Sequence, residues 1–213
     1  MIDFFPTRHI SSSNRRKFGI CDRPAPAAEK AYIAERQGQD WIAAVDNYPQ
    51  VKVNFVPVDH CIELRRADGS MDNRCDGCLF YRDTIIFVEL KQRKGKGNQW
   101  IKDGEQQLRS TIGYFEQQEE ARNFPIKKAY IANSEKPLFR TGQAVRMERF
   151  FLETNYILRI ENRINIESLV DPAVIFGEKR NSGTKLDAYI CTVNKMFHLK
   201  PVDLWTISKR LSC

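Results

Sequence analysis

Four consecutive apolar residues, Ile85-Ile86-Phe87-Val88, run directly into Glu89-Leu90-Lys91. Branched and aromatic side chains favour the pleated strand, and an apolar run without alternation is buried on both faces. The segment therefore predicts a central strand whose charged end emerges at the rim of a sheet. In a strand, residues two apart share a face, so Glu89 and Lys91 point one way and Leu90 the other. A carboxylate and an amine then occupy one site.

Just upstream lies Cys75-Asp76-Gly77-Cys78-Leu79-Phe80-Tyr81, followed by Arg82-Asp83-Thr84. A hairpin about residues 82–84 brings Asp76 roughly opposite Glu89. Two carboxylates this close repel each other unless a cation lies between them, and hard oxygen ligands suit Mg²⁺ or Mn²⁺. Beside such an ion, a lysine can orient or help deprotonate an attacking water. The trio suits metal-assisted phosphodiester cleavage.

Asp76, followed after an apolar run by Glu89-Leu90-Lys91, resembles the core of the PD-(D/E)XK nuclease superfamily over roughly residues 27 to 133; Cys75 stands where proline often precedes the aspartate. The resemblance implies an α/β fold with a restriction-endonuclease-like αβββαβ core, its mixed central sheet flanked by helices. It implies a Mg²⁺- or Mn²⁺-dependent endonuclease in which Asp76, Glu89 and the Leu90 carbonyl bind metal and Lys91 assists the water. It further implies an acidic ligand from the helix before the sheet, for which Glu29 is chosen and Glu35 is the runner-up. On the later helix, Gln107 is the expected substrate or water contact. DNA rather than RNA is the expected substrate, in restriction, repair, recombination or defence against phage, with a homodimer or a larger complex as the setting. The alternative is a catalytically inactive fold of this kind that binds nucleic acid or another protein.

Thirty-four Lys and Arg against 27 Asp and Glu give a net charge of +7, a balance that favours polyanion partners. Arg93, Lys94 and Lys96 follow the Glu-Leu-Lys element, and Arg15 and Arg16 cluster near the N-terminus; all five are candidate phosphate contacts. The opening Met1-Ile2-Asp3-Phe4-Phe5 lacks a signal peptide's features and no apolar run reaches 18 residues, so a soluble cytoplasmic protein with reduced thiols is expected. Cys75-x-x-Cys78, with His60 and Cys61, offers a zinc ligand count. On an extended segment, however, the odd separation sends the two thiols to opposite faces, which favours buried thiols. No serine-hydrolase, zinc-protease or phosphate-loop motif is found.

One core is expected, with residues 1–24 as an irregular basic segment, 25–135 as the nuclease-like core and 136–213 as an αββ extension packed on it. Pro24-Ala25-Pro26 sets up a helix over 27–37. Strands are expected at 51–56 and 61–65, with a turn at Ala67-Asp68-Gly69-Ser70. A helix capped by Asp103 should run to about residue 118, followed by a strand at 129–132 in parallel crossover. Beyond it, a helix is expected over 140–153 and strands at 156–160 and 188–193.

Overall fold

The structure, a computed structural model, describes residues 1–23, 29–36, 40–94, 97–135 and 143–167. All of these fall within Met1–Ser168, the first of the chain's two units; Leu169–Cys213 lies outside the described residues, and with it the strand expected at 188–193.

The described residues form a mixed α/β architecture of two sheets and two α-helices. The larger sheet contains β1 (Ser11–Ser13), β5 (Val53–Pro57), β6 (Gly77–Tyr81), β7 (Thr84–Lys91), β8 (Ile126–Asn133) and β9 (Ile157–Arg159), in the order β1-β5-β6-β7-β8-β9. Pairing is antiparallel from β1 to β7 and parallel from β7 to β9. Tyr81 pairs with Thr84, so Arg82 and Asp83 form the hairpin turn, and Gly77 pairs with Val88. The smaller sheet has the order β10-β4-β2-β3, from β2 (Lys17–Cys21), β3 (Tyr32–Ala34), β4 (Ala43–Asp46) and β10 (Arg163–Asn165).

The uninterrupted apolar run follows from this layering. Ile85 and Phe87 of β7 face a core shared with Ile101, Leu108, Ile112 and Phe115 of α1 (Gln99–Phe115) and Phe150 of α2 (Ala144–Thr154). Ile86, Val88 and Leu90 face a second core shared with Phe18, Ile20, Val45 and Ile164 of the smaller sheet. The strand has no solvated face on which polar residues would alternate. Between β7 and β8 the chain crosses through α1, as two adjacent parallel strands require. At Gly104 this helix comes close to the sheet: a Cβ there would meet Ile131 Cγ2 at 3.2 Å and Glu89 Cγ at 3.3 Å.

Four sequence expectations are corrected. The N-terminal segment is not irregular, because Phe18-Gly19-Ile20-Cys21 is apolar enough to form a buried strand. Within residues 27–37, the described part contains β3 and no helix. Ile33 and Tyr32 pair with Ile20 and Cys21, so tertiary strand pairing overrides the local helix signal. Residues 61–65 do not continue as a strand. The Val58 carbonyl accepts from the amides of both Cys61 and Ile62, winding the chain into a turn, and only Arg65 bridges back, to Met71 across the turn at residues 67–70. Finally, α1 starts at Gln99 rather than Asp103, because Trp100 and Ile101 are already buried against the core. Asp103 instead accepts from Gln99 Nε2 at 2.8 Å. None of the helices among the described residues is long and apolar enough to cross a membrane.

Candidate active site

The C-terminal end of β7, the N-terminal end of β6 and the C-terminal end of β5 meet at one rim of the larger sheet. From β7, Glu89 and Lys91 project toward α1, while Leu90 faces the smaller sheet. Lys91 Nζ lies 2.5 Å from Glu89 Oε1 and donates to Gln107 Oε1 at 2.9 Å. Gln107 Nε2 donates in turn to the Arg74 carbonyl at 3.1 Å. Both ends of the Gln107 amide are thus engaged in holding Lys91 and the segment before Asp76.

Asp76 is fixed from both sides. Its carbonyl accepts from the Val58 amide at 2.9 Å, and its Oδ2 accepts from the Leu90 amide at 2.5 Å. The preceding Cys75 amide donates to Thr111 Oγ1 at 2.9 Å, tying this segment to α1. The two carboxylates and the ammonium therefore stand together, as the strand periodicity and hairpin register imply. Because the N–H and C=O of a strand residue project to the same edge, the Leu90 carbonyl also lies on the Asp76 side.

The site disfavours two negative charges in the absence of a cation. Burial pushes the Asp76 carboxyl from 3.8 to about 7 against the Leu90 hydrogen bond, with Asp22 and Asp59 adding to the rise and Lys91 opposing it. Glu89, only 1% exposed, is raised well above its usual range by burial and then by Asp76, again opposed by Lys91. Its Oε2 is buried and has no hydrogen-bond partner. An orphaned carboxylate oxygen, a neighbouring aspartate and a strand carbonyl on the same edge are a donor set that fits a hard divalent cation. Side chains alone do not complete such a site: among the described residues, no group of three or more His, Cys, Asp or Glu stands in metal-holding arrangement.

Two acidic residues at this rim, Asp59 and Asp22, escape a reading of the sequence. Asp59 holds Arg74 at 2.8 Å and His60 Nε2 at 3.3 Å, in the loop whose Val58 amide binds Asp76. Asp22, just past β2, is raised by burial and by Asp59, while the Arg23 amide, His60 and Lys91 lower it. Their sequence separation from Asp76 conceals their proximity; the only local signal is the Asp59-His60 pair at the end of an apolar strand.

Other candidates lie elsewhere. Glu29 pairs with Arg23 at 3.0 Å and is half-exposed, a correction that follows from the absence of the helix expected to aim it at the metal. Glu35 accepts from Ser13 Oγ at 2.7 Å and pairs with Arg15. Ser13 pairs with Val53 at the start of β5, which places Arg15 and Arg16 at the opposite end of the sheet from Asp76. There Arg16 stacks over Tyr48, so neither arginine belongs to this rim. Arg93 and Lys94 do continue from it, whereas Lys96 lies outside the described residues. Cys75 and Cys78 are free, buried and in the same helix-side core, not on opposite faces, because Cys75 precedes the start of β6. Burial raises both thiols, Cys78 to about 12.

Compared with protein-family models, curated proteins and solved structures, the chain matches none.

Proposed function

We propose that the protein is a divalent-metal-dependent nuclease of PD-(D/E)XK type, acting on DNA. The observation that carries this reading is the convergence of Asp76, Glu89 and Lys91 at one sheet rim, with a buried carboxylate oxygen left unpartnered. The succession β5-β6-β7-α1-β8 that carries these groups fits the βββαβ part of such a core.

Asp76, Glu89 and the Leu90 carbonyl are the groups that would hold Mg²⁺ or Mn²⁺. Such an ion supplies Lewis-acid stabilisation of the phosphate and lowers the pKa of its water. Lys91, anchored by Gln107, keeps an ammonium beside Glu89 where it can orient the attacking water and hold a proton during the displacement. Burial of Glu89 and the hydrogen bond on Asp76 fix both carboxylates before substrate arrives, so little reorganisation is left for the reaction.

A second reading, a nuclease-like fold that binds without cutting, is favoured by the lack of a third metal-ligating side chain among the described residues. Plasmid cleavage separates the two. With Mg²⁺ or Mn²⁺, the wild type should nick or linearise DNA, and Lys91→Ala should lose at least about 100-fold in rate while keeping its circular dichroism and DNA affinity. No turnover with any divalent metal, on DNA or RNA, leaves only the binding reading.

A further inference from the structure

The last rung of the β7–β8 ladder pairs Lys91 with Asn133, and the Ser134 amide closes on the Lys91 carbonyl at 3.1 Å. Past this point a side chain replaces the strand. Asn133, only 1% exposed, accepts the Arg93 amide on Oδ1 at 3.1 Å and donates Nδ2 to the Arg93 carbonyl at 3.1 Å. The same Oδ1 accepts the Glu135 amide at 3.1 Å. The Asn133 amide thus reproduces the donor and acceptor of a missing strand neighbour and holds the exit of β7 extended.

What is held this way is a basic segment two residues beyond Lys91. The Arg93 guanidinium is exposed and has no hydrogen-bond or ion-pair partner among the described residues. Lys94, its side chain 83% exposed, is 3.8 Å from Glu135, a separation that leaves it available to an anion. Both border an open groove of about 550 Å³ whose opposite wall is the start of α1, with Trp100 and Asp103. Asp103 is engaged by Gln99 within that wall. A forked guanidinium with no partner among the described residues, on a backbone bonded at both its N–H and its C=O, suits bidentate contact with a phosphate oxygen pair and reads no base.

We propose that Asn133 is a positioning residue that fixes Arg93 against the backbone phosphate neighbouring the one at Asp76, Glu89 and Lys91, so that the groove grips nucleic acid without sequence preference. This rests on the nuclease reading and deepens it. The clamp makes the effects of Asn133 and Arg93 interdependent: without the amide the guanidinium loses its aim, and without the guanidinium the amide has nothing to aim.

The test is fluorescence anisotropy of a labelled DNA duplex with EDTA present, so that binding is read apart from cleavage, across a salt series. Arg93→Ala should weaken binding several-fold for duplexes of unrelated sequence and reduce the salt slope by about 1. Asn133→Ala should produce a comparable loss with the arginine still present, and the double variant should bind no worse than Arg93→Ala alone. Arg93 is a surface residue whose replacement leaves the fold intact; if Asn133→Ala does not fold, Asn133→Ser takes its place. Full additivity of the two losses, or an unchanged affinity in Arg93→Ala, overturns the clamp and leaves the nuclease reading standing. Failure of the wild type to bind DNA at low salt overturns both.

Discussion

Asp76→Asn should make the metal-free protein more stable while removing the metal-dependent cleavage proposed for it. In the unfolded chain the carboxyl titrates near 3.8; in the fold, burial raises it to about 7. The folded state therefore holds a proton that the unfolded state has released, and stability falls as pH rises through the window between these values. The full shift corresponds to roughly 4 kcal/mol. Asp76 is partly accessible, so solvent screening reduces that to about 2 kcal/mol. An asparagine oxygen can still accept the Leu90 amide, so the substitution removes the charge and keeps the bond. For a chain of this size the gain is roughly 4 to 8 °C in Tm. Thermal unfolding followed by circular dichroism in EDTA should show it at pH 8, with the difference shrinking below pH 7 and nearly gone at pH 4. Adding Mn²⁺ should raise the wild type and leave the variant where it was, because only the wild type gains from ligand binding. A variant no more stable than wild type at pH 8, or a gain that persists undiminished at pH 4, would refute the assignment of a carboxyl whose surroundings favour its neutral form in the absence of a cation.

Two further outcomes probe the scaffold around this group. Gly104→Val places branched carbons where even a Cβ stands 3.3 Å from Glu89 Cγ, and should cost about 1 to 3 kcal/mol and abolish the Mn²⁺-induced rise in Tm. Gly104→Ala should be close to neutral in stability, the roughly 0.5–1 kcal/mol helix gain offsetting the tight contact; differential scanning fluorimetry with and without metal checks both. Thr111→Val leaves the buried Cys75 amide without an acceptor and should cost about 1 to 3 kcal/mol in urea unfolding, with weaker metal binding by calorimetry because Asp76 follows directly.

The grouping of Asp76, Glu89 and Lys91 was legible because each position follows from a local rule. Period-two alternation puts Glu89 and Lys91 on one face, and the turn at Arg82-Asp83 sets the register that carries Asp76 back beside them. The helix was legible from the apolar stripe Leu108, Ile112 and Phe115, and the parallel partner strand from Ala129-Tyr130-Ile131-Ala132 following it. Illegible were features decided by distant pairing. Tyr32 and Ile33 read as part of a helix until β2 lies beside them, and β10 has no signal apart from its pairing with β4. The same limit hid Asp22, Asp59 and Asn133, whose roles depend on loops meeting across the sheet rim.

The smaller sheet also bears on where the chain can be cut. A fragment starting at Val53 would retain every charged group of the rim except Asp22, yet it would lay Phe55, Leu79, Ile86, Val88 and Leu90 open to water. An exposed apolar surface on the order of several hundred Å² is a route to aggregation rather than to a stable fold. Strands β2, β3 and β4 thus cover the apolar underside of the larger sheet, and a fragment meant to keep the Asp76 rim folded cannot dispense with them.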